Sequence, residues 1–109
     1  MALELQVFKT ENPKAKPADE SKLGFGHVFS DHMFVMDWTK DMGWHDAKIV
    51  PYGYLSISPA SSVLHYGSEI FEGLKAYRNV KGEIVLFRPQ ENMARMNRSA
   101  ERLGLPEFP

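Results

Sequence analysis

Pro89 and the Gly104-to-Pro106 stop fence off the one long segment with helical periodicity, and every apolar run before it is short and broken by glycine or proline. Proline fits a first helical position because its missing N–H has no partner there, and Glu91 complements the positive helix end. Met93, Met96, Ala100 and Leu103 recur at three- and four-residue spacing, so residues 89–103 are predicted to form a helix with that stripe facing the core. Upstream, residues 32–38 are dense in apolar and aromatic side chains and read as a strand, followed by a turn at Asp41-Met42-Gly43. Residues 47–50 and 54–57 read as two further short strands, separated by Pro51 and Gly53. Residues 75–78 and 84–88 flank a hairpin turn at Asn79-Val80-Lys81-Gly82. The expected fold class is α/β (α+β), a mainly antiparallel sheet with flanking helices.

Residues 1–22 read differently from the rest. Pro13 and Pro17 exclude a helix, and apolar residues are sparse from Thr10 to Lys22. This stretch is expected to be an extended or mobile arm, with Leu3, Leu5 and Val7 alternating as a short edge strand. Residues 23–109 form the expected domain. At 109 residues the chain allows one small domain, or a piece of one.

Composition excludes several function classes. A formal net charge of -1 leaves no electrostatic footprint for nucleic acid or an anionic membrane. No apolar run approaches the ~20 residues of a membrane helix, and the N-terminus lacks a signal-peptide core. With no cysteine, disulfides, thiolate metal sites and a cysteine nucleophile are out, and a cytoplasmic location is expected. His27, His32, His45 and His65 have no metal-site spacing, so no metal is expected. A nucleophile elbow, a Walker loop and a dinucleotide fingerprint are all absent from the sequence.

The segment from His65 to Tyr77 stands out, because Gly67 and Gly73 bracket aromatic and ionisable side chains. Glycine permits positive φ and close approach of backbone to a ligand. Two readings follow from the residues: a tight turn feeding a core strand, which chemistry alone favours, or one wall of a mostly apolar pocket. Trp38 and Trp44 are expected to be buried.

Family resemblance sharpens this. H-Y-G-x-x-x-F-E-G-L-K-A-Y and L-F-R-P-x-x-N-M-x-R-M-x-x-S-A-x-R-L-x-x-P, with F-G-H-V-F-S-D-H-M-F-V-M-D-W and L-S-I-S-P-A-S-S-V-L-H-Y-G upstream, closely resemble the branched-chain amino acid aminotransferases. The likeness runs from about Leu23 to Pro106. The H-Y-G and F-E-G elements are also similar to other fold-type IV enzymes, such as D-amino acid aminotransferases and aminodeoxychorismate lyase. The resemblance implies the N-terminal part of the small domain of a fold-type IV aminotransferase. Its parent would use pyridoxal 5'-phosphate to move an amino group between leucine, isoleucine or valine and 2-oxoglutarate, as a homodimer.

By the same resemblance, Arg95 holds the cofactor phosphate, and Phe25, Tyr66 and Phe71 shape the substrate pocket. Tyr66 would reach into the other subunit's site. Read as a residue alone, Arg95 is a solvated helix arginine, as Arg98 and Arg102 are expected to be. Glu72 and Tyr77 are ranked as structural, and Lys75 as a loop or interface lysine. No catalytic residue is expected within the chain, since the Schiff-base lysine of the family lies beyond Pro109. The chain alone is therefore expected to be inactive. The rival readings are another fold-type IV enzyme, or a non-enzymatic interaction module if the native gene ended at Pro109.

Overall fold

The computed structural model describes residues 3–109; the first two residues of the expected arm lie outside the described residues. The chain divides into two compact units, Met1–Ser56 and Ile57–Pro109.

The first unit is a three-stranded sheet in the order β1-β3-β2. β2 (His32–Thr39) and β3 (Gly43–Pro51) pair antiparallel, from His32 opposite Pro51 to Thr39 opposite Gly43. Gly43, at φ 68°, closes the connecting loop in the left-handed region where a β-carbon is strained. β3 starts earlier than the expected residues 47–50 because a bulge lets it run through a polar pair. Val35 faces Lys48 while Asp37 faces His45, so β3 carries one extra residue there. Asp46 takes up that residue at φ 54°, a conformation aspartate tolerates better than most, and its carboxylate accepts from His45 Nδ1 at 2.8 Å.

The anticipated edge strand is present as β1 (Gln6–Val7), parallel to β3 with Gln6 opposite Lys48. Beyond it, the Phe8 amide donates to the Ile49 carbonyl at 2.8 Å, the Thr10 amide to His32 Nε2 at 3.0 Å and the Lys14 amide to Asp31 Oδ1 at 2.9 Å. Lys14 also places its ammonium over the Tyr52 ring, which stacks on Phe29 at 5.3 Å. The chain from 6 to 14 is thus extended and fastened to its own sheet.

In the second unit, α1 (Ser62–Tyr66) ends at Gly67, which is left-handed at φ 61°. This helix was not expected: five residues are too few to display a 3.6-residue period. β4 (Ala76–Arg78) and β5 (Ile84–Leu86) form an antiparallel hairpin. Asn79 builds its turn, its Oδ1 accepting from the amides of Lys81 and Glu83 at 2.9 Å each. β5 stops at Leu86 rather than reaching Arg88, because Arg88 turns left-handed (φ 47°) to start the long helix.

α2 (Pro89–Leu103) has the expected bounds. Gly104 caps it at φ 68°, with its own amide and that of Leu105 returning to the last turn. Asn97 then ties down the following segment: its Nδ2 donates to the Phe108 carbonyl at 3.0 Å, and its Oδ1 accepts from the Phe108 amide at 2.8 Å.

Among the described residues the fold is therefore mixed α/β, with two antiparallel strand pairings, one parallel pairing (β1–β3), two α-helices and a short 3-10 turn at Glu20–Lys22. Three expectations need correction. Residues 54–57 form no strand; Tyr54 and Leu55 are exposed and pair with no neighbour, and Gly53 follows Pro51 as a chain breaker. Trp38 is not buried: it lies on the β2–β3 hairpin opposite Trp44 and is half exposed. The helix stripe is only half right, since Ala100 is buried and Met96 partly so, whereas Met93 and Leu103 face outward. Among the described residues, the fully buried apolar side chains are just Ala47 and Ala100.

Candidate functional site

The chemistry of the second unit concentrates where the loop between α1 and β4 meets α2. That loop, residues 67–75, has no regular structure and carries Phe71 and Glu72. On α2, Asn92 and Arg95 stand three residues apart, so both lie on one helix face. Both reach Glu72. Arg95 Nε donates to Glu72 Oε2 at 2.7 Å and its Nη2 donates to Oε1, a two-point grip of guanidinium on carboxylate. Asn92 Nδ2 donates to Glu72 Oε1 at 3.2 Å and to the Gly73 carbonyl at 2.9 Å, while the Gly73 amide donates to Oε1 at 3.0 Å.

Both oxygens of Glu72 are thereby occupied. Its side chain is 5% exposed, whereas that of Arg95 is 61% exposed. The hydrogen bonds from Arg95 pull the Glu72 carboxyl down to about 2, against an opposing rise from burial, with Asn92 and the Gly73 amide assisting. In return the carboxylate raises the guanidinium above its ordinary value. The pair is charged throughout the working range.

Arg95 borders two surface depressions. One, of about 310 Å³, is lined by Phe87, Arg88, Glu91, Asn92, Arg95 and Arg98. The other, of about 500 Å³, combines Ile70, Phe71 and Leu103 with Arg95, Arg98, Ser99 and Arg102. An arginine edge beside an apolar wall can take a ligand with an anionic end and a greasy body. Arg98 is exposed, as expected, and borders both depressions. Arg88 is held to Glu91 at 3.4 Å.

Of the four site residues expected from sequence, Arg95 and Phe71 line one depression together. Tyr66 ends α1, close in sequence but outside that lining, and its ring is open to solvent. Phe25 belongs to the first unit, in the loop before β2, and is fully exposed. Lys75 stands over the Tyr77 ring at 5.5 Å, away from Arg95's hydrogen bonds. Glu72, ranked as structural, turns out to be the direct partner of Arg95. The nearest sequence signal, an asparagine and an arginine at i, i+3 on α2, marks two donors on one helix face without naming their acceptor.

Elsewhere, among the described residues no group of three His, Asp or Glu side chains gathers as a metal site, and no helix is long and apolar enough to cross a membrane.

No family model matches the chain. Individual relatives do. The chain is 51% identical over 106 residues to "Branched-chain-amino-acid aminotransferase, cytosolic" of Caenorhabditis elegans, covering 97% of this chain and 26% of that protein. It is 54% identical over 98 residues to "Branched-chain-amino-acid transaminase 1" of Bacillus subtilis (90% and 27%), and 54% identical over 105 residues to "Branched-chain-amino-acid aminotransferase" of Dictyostelium discoideum (96% and 28%). The chain thus spans about a quarter of the length of the curated relatives it matches. Half-identity along nearly every residue, across a nematode, a bacterium and an amoeba, makes this sequence similar, as a partial stretch, to proteins named branched-chain aminotransferases.

Proposed function

We propose that the chain is the N-terminal part of the small domain of an enzyme that moves an amino group between leucine, isoleucine or valine and 2-oxoglutarate. The enzyme would use pyridoxal 5'-phosphate and work as a homodimer in the cytoplasm. The observation that carries this reading is the half-identity to proteins named for that activity over 90% or more of the chain. Bound pyridoxal phosphate supplies an electron sink for bonds at the amino acid α-carbon.

The residues present fit the phosphate end of that cofactor. Glu72 takes the Nε side of the Arg95 guanidinium, leaving the Nη1 hydrogens and the outer Nη2 hydrogen for a second oxyanion. The more exposed partner of the pair is the arginine, which is what a ligand-facing cation requires. Phe71 beside it gives an apolar surface suited to a branched aliphatic side chain, since a buried methylene contributes ~0.8 kcal/mol. Tyr66 and Phe25, both exposed in this chain, would take the substrate-facing roles that the family resemblance gives them.

None of the lysines here matches the lysine motif that carries the cofactor in the family. The 109-residue chain alone should therefore not transaminate. Cofactor titration of the full-length enzyme tests the reading: Arg95→Ala should weaken pyridoxal phosphate retention about tenfold to hundredfold. Arg98→Ala should do less, because that side chain stands on an exposed face of the helix. Unchanged retention in Arg95→Ala would end the phosphate assignment.

A further inference from the structure

Arg95 is a long side chain on an exposed helix face, and such a side chain gives up considerable rotamer freedom when it is held for a ligand. Here that freedom is already gone. Glu72 fixes Nε and Nη2 together, so the guanidinium plane as well as its position is set. The carboxylate is in turn immobilised from three directions: by Asn92 of α2, by the amide of Gly73 and by Arg95 itself. Asn92 also clasps the Gly73 carbonyl, which ties the 67–75 loop to the helix on both sides of the peptide. Phe71, the residue before Glu72, borders the same depression as Arg95.

We propose that Glu72 is a positioning residue: it presents the outer edge of Arg95 to the cofactor phosphate and, through the Asn92–Gly73 clasp, holds the Phe71 loop beside it. This rests on the phosphate role of Arg95 proposed above. The arrangement has a consequence opposite in sign to simple electrostatics. A carboxylate close to a phosphate-binding arginine repels the phosphate, so by charge alone its removal tightens cofactor binding. By positioning, its removal weakens binding, because the guanidinium swings free and the phosphate must order it.

The experiment is a titration of the cofactor-free, full-length enzyme with pyridoxal phosphate and, separately, with pyridoxal, which lacks the phosphate. Glu72→Gln should weaken pyridoxal phosphate binding about tenfold, the scale of one lost charge-assisted contact. It should leave pyridoxal binding unchanged, which also reports an intact fold. The double variant Glu72→Gln/Arg95→Ala should be no weaker than Arg95→Ala alone, since both act through one contact. Tighter or equal pyridoxal phosphate binding in Glu72→Gln overturns the proposal. Equal loss of both ligands also overturns it, because that marks a purely structural residue. If Arg95→Ala itself binds pyridoxal phosphate normally, the phosphate reading has failed. If Arg95→Ala is weakened and Glu72→Gln is not, the positioning role alone has failed.

Discussion

At the residue scale the chain's most distinctive group is Glu72, an acid held well below its ordinary range by the arginine it supports. The sign of its effect on stability follows from that depression. Its contribution is present above the ordinary carboxyl value of 4.5 and is lost as pH falls through about 2. The side-chain carboxyl carbon of Glu72, followed by NMR, should therefore titrate with a midpoint near 2. In Arg95→Ala that midpoint should move up toward the usual glutamate range, since Arg95 is the main cause of the depression. A midpoint near 4.5 in the unsubstituted chain would mean that the pair does not form in solution. Arg95 was singled out in the sequence through family resemblance, and the structure sets it at the edge of two depressions. Glu72 was not, because its partnership joins residues 23 positions apart and depends on how the 67–75 loop lies on α2.

Elements were legible to the extent that their ends are written in special residues. Pro89 and Gly104 bound α2 without ambiguity, one lacking an N–H and the other tolerating positive φ. The β4–β5 turn was equally clear from its glycine. Residues 54–57 look like a strand by composition, but a strand needs a neighbour, and alternation in sequence does not supply one. The Asp46 bulge hid the first half of β3 in the same way, because a local extra residue breaks the pattern while the pairing continues. The outward-facing Met93 and Leu103 show that a helical stripe locates an apolar face without saying what covers it. Asn97 provides an element-scale test. Asn97→Ala removes both bonds to the Phe108 backbone, at about 0.5–1.5 kcal/mol each. Amide exchange at Phe108 should become markedly faster, while the central amides of α2 change little. Unaltered exchange at Phe108 would show that packing of Leu105 and Phe108, rather than the asparagine, holds the segment.

At the scale of the whole chain, the imbalance between apolar content and burial dominates. Hydrophobic residues make up 43% of the sequence, yet Phe34, Trp38, Phe71, Val85, Leu86 and Phe87 are all exposed. Large exposed apolar patches and open strand edges recruit other chains, and a net charge of -1 offers little repulsion. Sedimentation velocity over a concentration series should accordingly find the 109-residue chain self-associating, and a single monomeric species at every concentration would contradict this. We propose that this stretch brings a phosphate grip and part of a pocket wall to a transaminase whose cofactor-bearing lysine is supplied by another part of the enzyme. The most direct test is an assay of the 109-residue chain with leucine, 2-oxoglutarate and added pyridoxal phosphate, beside the full-length enzyme under the same conditions. Glutamate should form with the full-length enzyme and not with the chain above a cofactor-only control; turnover by the chain would show that it carries its own cofactor lysine.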